Sequence, residues 1–136
     1  MEIYNNIKTD NTPLIKLDNT KHVLEFEGDS RPENVQKFFL PIMEWLDNYD
    51  KYIYYLKDVN ENQLFDINCN FKLEYFNSSS AKYIMDILIF LGKISKTHQV
   101  KLNVNWYYDS IDEDMLDAGK EFEKVVGISF NYIEIV

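Results

Sequence analysis

The sequence predicts an α/β fold with one mixed sheet and its helices mainly on one face. Three observations carry that prediction. Residues 67–75 and 100–106 alternate strictly between apolar and polar side chains, so each strand has one buried and one wet face. Between and after them lie segments whose apolar residues recur at helical spacing. No Gly/Ser- or Pro-rich linker divides the 136 residues, a length suited to one domain with one core.

Taken in order, residues 1–11 are polar and are expected to be loosely ordered. Residues 14–17 (LIKL) and 23–27 (VLEFE) read as a hairpin joined through the turn residues Asp18, Asn19 and Thr20, with Gly28 ending it. Ser30-Arg-Pro-Glu33 has the form of a capping box, with Pro32 in the first turn, where its missing N–H is not needed. The helix it opens carries Phe38, Ile42, Trp45, Leu46 and Tyr49, and Pro41 is expected to kink or split it. Residues 50–63 read as an extension of this helix running into a loop.

In the strand 67–75 every odd position is apolar or Cys, and Asn68, Asn70, Lys72 and Glu74 are polar. The strand 100–106 repeats this with Lys101, Asn103 and Asn105. A helix over 79–95 places Ile84, Ile87, Leu88, Leu91 and Ile94 on one face. Ser110-Ile-Asp-Glu113 is a second capping box, opening a helix that Gly127 ends. Residues 130–135 form the last strand. The order is ββαβαβαβ. Right-handed crossovers with helices on one face add strands in one direction, giving a five-stranded sheet of order 1-2-3-4-5 with only strand 1 antiparallel.

Composition narrows the function. The formal charge is −9 and Arg31 is the sole arginine, which disfavours nucleic acid and anionic membranes as partners. The N-terminus has no basic start and no apolar h-region, and the stretch 84–91 is short and broken by Asp86, so a cytoplasmic protein is expected. The single cysteine, Cys69, forms no intrachain disulfide and reads as a small buried apolar group.

Catalytic and metal-binding patterns are sparse. His22 and His98 lie far apart without an HExxH or CxxC companion, and the four glycines form no phosphate loop. The acids Asp109, Asp112, Glu113, Asp114 and Asp117 lack the glycine and terminal glutamate of a calcium loop and suit the first turn of a helix. No metal, cofactor or catalytic residue is assigned, and the chain is read as a non-enzyme.

The remaining feature is Asn77-Ser78-Ser79-Ser80, at the junction between the strand ending at Phe76 and the next helix. Such residues cap helices, and a cap that points outward is also accessible to a kinase. Parallel strands send these junctions to the carboxyl edge of the sheet, where ligands and partners approach. A phosphoserine there adds about −1.5 to −2 charges. The helix terminus accommodates it with about 0.3–1 kcal/mol of favourable interaction, small against the stability of a domain. Facing an apolar or acidic docking surface, the same dianion weakens association by several kcal/mol. Phosphate would switch binding and leave the fold alone.

Three segments carry a family resemblance: Gly28-Asp-Ser-Arg-Pro-Glu-Asn34, Leu73-Glu-Tyr-Phe-Asn-Ser-Ser-Ser80, and Val104-Asn-Trp-Tyr-Tyr-Asp109 followed by Asp112-Glu-Asp-Met-Leu-Asp-Ala-Gly119. They resemble the SiaC-type regulatory phosphoproteins, a bacterial family, from about Thr12 to Ile135. The resemblance implies a STAS-like fold, similar to anti-sigma-factor antagonists. It also implies a partner-switching circuit with a serine/threonine kinase and a PP2C-type phosphatase, in which the unphosphorylated form binds and activates a diguanylate cyclase that promotes biofilm formation. The family's phosphoacceptor is the threonine of L-x-Y-x-N-T-S-S. That position is Ser78 here, with Ser79 its neighbour, and residues 52–62 look like a longer connection than the family usually has.

The leading expectation is thus a phosphorylation-controlled partner switch centred on Ser78, with Glu74, Asn77, Ser79, Ser80, Trp106, Tyr108 and Asp109 as the partner surface. The output partner is a diguanylate cyclase, an anti-sigma factor or another response protein. Two other readings stand beside it. One is a small enzyme or ligand-binding domain that uses acids such as Glu74 and Asp109. The other is an interaction module with no modification.

Overall fold

The computed structural model describes residues 1–60 and 64–136. Its elements run β1 (Tyr4–Asn6), β2 (Leu14–Asp18), β3 (Val23–Ser30), α1 (Val35–Val59), β4 (Asp66–Phe76), α2 (Ser78–His98), β5 (Lys101–Asp109), α3 (Glu113–Val126) and β6 (Phe130–Ile135). They form one sheet of order β1-β2-β3-β4-β5-β6. β2 pairs antiparallel with both β1 and β3, and β3 to β6 are mutually parallel. The sequential order and the single antiparallel strand agree with the sequence; the strand count is six rather than five. The additional strand is β1, inside the segment expected to be loosely ordered. Three residues are too few to show a period; pairing with β2 and the packing of Tyr4 against the core give them structure.

Register explains the one-sided core. Leu17, Leu24, Cys69, Val104 and Phe130 lie in one cross-strand row, and Ile15, Phe26, Phe71, Trp106 and Tyr132 in the next. Nine of these ten, all but Tyr132, are buried beneath the helices, as are the α1 and α2 residues Ile42, Leu46, Leu88 and Leu91. The opposite face carries amides: Asn105 Nδ2 donates to Asn70 Oδ1 (2.8 Å) and Asn131 Nδ2 to Asn105 Oδ1 (3.1 Å). Lys72 Nζ stands 4.7 Å above the Tyr107 ring on the same side.

Several local expectations are corrected. Gly28 does not end β3. Its φ of +111° sits at a register shift in which Gly28 opposes Leu73 and Asp29 opposes Tyr75, so Glu74 is the extra residue of a bulge. Beyond it the parity of β4 reverses: Tyr75, expected on the buried face, is 49% exposed, and Phe76 turns inward against Phe122 (5.8 Å between ring centres). Ser30 does not cap α1. The cap is Asn34, whose Oδ1 accepts from the Lys37 N–H at 3.0 Å. Pro41 does not split α1, which runs unbroken from Val35 to Val59; Lys37, whose carbonyl loses its partner there, is exposed to water. Of the connection expected over 52–62, residues up to Val59 are helical, and residues 61–62 lie outside the described residues.

α3 is seated by a close approach. A Cβ on Gly119 would stand 2.6 Å from Trp106 Cδ1, so only glycine admits the indole, whose Nε1 donates to the Met115 carbonyl at 2.9 Å. Its cap is Asp112, accepting from the Met115 N–H at 3.0 Å, rather than Ser110, and Gly127 ends it at φ +70° as expected. Near its end, Glu123 reaches the outer edge of the sheet: Oε2 accepts from the Phe130 N–H (2.6 Å) and Oε1 from the Tyr132 hydroxyl (2.8 Å). Among the described residues no helix is long and apolar enough to cross a membrane.

Candidate functional site

The serine cluster sits where β4 leaves the carboxyl edge. The Asn77 N–H donates to the Ser30 carbonyl at 3.0 Å, and Asn77 Oδ1 accepts from the Ser80 N–H at 2.9 Å, so Asn77 is the cap of α2. Ser80 then points inward. It is 0% exposed, its Oγ donates to the Ser30 carbonyl at 3.0 Å, and it accepts from Ser30 Oγ at 2.8 Å. These bonds tie the end of β3 to the first turn of α2. That turn's geometry leaves Ser78 and Ser79 exposed, and neither hydroxyl has a hydrogen-bond partner among the described residues. Ser78 thus presents an exposed hydroxyl on the first residue of α2.

The other residues expected on a partner surface divide. Glu74 and Asp109 are exposed, and Asn77 and Tyr108 are half-buried. Ser80 and Trp106 are fully buried, so neither contributes to a surface. Sequence parity does place Trp106 on the helix side, but only the Gly119 contact reveals how completely α3 covers it. Tyr75 was missed: the bulge that exposes it leaves no mark in the alternation.

Two grooves flank the edge. One, of about 620 Å³, is lined among others by Glu27, Lys72, Glu74, Tyr107, Asp109 and Asp112. A second, of about 360 Å³, runs beside Glu74, Tyr75, Phe76, Asp112 and Asp114. Both are rich in carboxylates, and among the described residues no group of three or more His, Cys, Asp or Glu side chains is placed to hold a metal ion. The Cys69 thiol is raised by burial and is inert in the core. His22 is 7% exposed, stacks on Phe65 at 3.9 Å and hydrogen-bonds Tyr49 (2.5 Å); His98 meets Asp50 at 2.6 Å between α1 and α2. Neither lies with the serine cluster in a catalytic arrangement.

Fold and site together define a class: a single-sheet α/β protein that offers a fixed, accessible serine at the carboxyl edge among acidic side chains. The model of the SiaC family regulatory phosphoproteins matches residues 7–135, and the chain belongs to that family. A protein of Pseudomonas aeruginosa (strain UCBPP-PA14), described as uncharacterised, is 30% identical over 122 residues, 90% of this chain and 88% of its own. Crystal structures of SiaC from P. aeruginosa have the same fold. Apo-SiaC matches with TM-score 0.77 and 24% identity over 100% of both chains. A chain in the complex of the diguanylate cyclase SiaD with its activator SiaC matches with TM-score 0.81 and 24% identity, over 97% of this chain and 99% of that one.

Proposed function

We propose that this chain is a single regulatory domain of bacterial cytoplasmic signalling that acts by binding, with Ser78 as its phosphoacceptor and a diguanylate cyclase as its output partner. The observation that carries the reading is the exposed Ser78 hydroxyl, held at the helix mouth by the buried Ser30–Ser80 pair. The SiaD–SiaC complex supports the choice of output partner, since the activator in it shares this fold. A serine/threonine kinase adds the phosphate and a PP2C-type phosphatase removes it. The unmodified edge docks the cyclase through Glu74, Tyr75, Ser79, Tyr108 and Asp109, and a dianion at Ser78 weakens that contact by desolvation and repulsion.

The test is calorimetric titration of the chain against a diguanylate cyclase of its own host. Ser78→Ala should bind like wild type, and Ser78→Asp at least about tenfold more weakly, the equivalent of about 1.4 kcal/mol. Equal binding by wild type, Ser78→Ala and Ser78→Asp overturns the switch. Intact mass spectrometry of the chain isolated from its host reads the modification directly.

A further inference from the structure

The chain has one arginine, and the fold delivers it to the serine cluster. The Ser30 carbonyl accepts from the Asn77 N–H at 3.0 Å. Arg31 is the residue after Ser30 and Ser78 the residue after Asn77, so the two stand immediately beyond the partners of one hydrogen bond. Arg31 is fixed from its other side as well: its N–H donates to the Asn11 carbonyl at 2.9 Å, and Pro32 after it confines its backbone to extended conformations. Arg31 is exposed and forms no ion pair among the described residues, although Glu74, Asp112 and Asp114 crowd the grooves near Phe76.

We propose that Arg31 is a built-in receptor for the phosphate of Ser78, binding it in cis through its guanidinium. The inference rests on the reading of Ser78 as phosphoacceptor. A guanidinium presents paired N–H donors that match two phosphate oxygens, which makes it the strongest side-chain partner for this dianion. A second cation on the same helix is Lys82, one helical turn after Ser78. It is already engaged with Asp86 at 3.8 Å and stands over the Tyr83 ring at 5.1 Å. Phosphorylation therefore changes the edge twice: a dianion arrives, and a free guanidinium disappears from the docking surface. A carboxylate has one charge and a shorter arm, so Ser78→Asp reproduces the phosphorylated state only in part.

The experiment needs no cognate kinase. Phosphoserine is installed at position 78 of the full chain during synthesis, and its second ionisation is followed by phosphorus NMR. In the wild-type background the midpoint should lie below the ordinary value of about 6, and in Arg31→Gln it should rise by about half a pH unit or more. Lys82→Gln should leave most of the effect in place, and Arg31→Lys should restore part of it. Identical midpoints in wild type and Arg31→Gln overturn the proposal, as does a rise produced in full by Lys82→Gln alone. Because the phosphate is placed chemically, this outcome is independent of whether the host modifies Ser78, which intact mass reports.

Discussion

Ser79 and Ser80 are chemically identical neighbours with opposite surroundings. Ser80 is buried and bonded to both the carbonyl and the hydroxyl of Ser30, whereas Ser79 faces water. Ser80→Ala strips Ser30 Oγ of its acceptor inside the protein and should cost about 1–3 kcal/mol, against under about 0.5 kcal/mol for Ser79→Ala, both read from urea unfolding. Composition shows three equivalent serines; only tertiary bonding tells them apart. His22 belongs to the same scale. Burial holds its imidazole below the ordinary histidine range, and the nearby Asp18 carboxylate offsets this only in part. The folded chain therefore takes up that proton at lower pH than the unfolded chain. The stability His22 contributes is complete above about pH 6.5 and is lost as pH falls below it. Unfolding free energy should drop as pH falls below about 6.5, and drop less in His22→Asn, which tolerates the residue's left-handed backbone.

Among the elements, what was legible follows from where the decisive forces act. The strand residues 67–73 and 100–106 and the helix of Ile84 to Ile94 each bury one face, and burial writes its period into the sequence. Helix starts were misread because a capping box is a local pattern, and long-range bonds override it. Ser30 is drawn into β3 by Ser80, and the chain between Asp109 and Asp112 forms a turn that passes the cap on to Asp112. Asp112→Ala should accordingly destabilise the protein by about 1 kcal/mol, while Ser110→Ala should change it by less than about 0.5 kcal/mol, measured in the same denaturation assay. The bulge at Gly28 and Glu74 was invisible for a related reason. It shifts parity only past Leu73, and the apolar Tyr75 continues the alternation it no longer obeys.

At the scale of the whole molecule, the site stands apart from the core. The rows that hold the sheet to its helices end below the serine cluster, and Ser78 contributes no buried contact to them. Charge added there should act on binding and hardly on folding: Ser78→Asp should shift the thermal midpoint by no more than about 4 °C, roughly the effect of 1 kcal/mol in a domain of this size, by calorimetry. The lone antiparallel strand and the short β1 close one side of the sheet with a three-residue border.

The far side is guarded differently. A border strand with unclaimed amides is a template on which another chain can crystallise. Here Glu123 plugs the leading amide of β6, and the Tyr132 hydroxyl steadies the plug. A stray strand from a neighbour meets a negative charge where its first carbonyl would land.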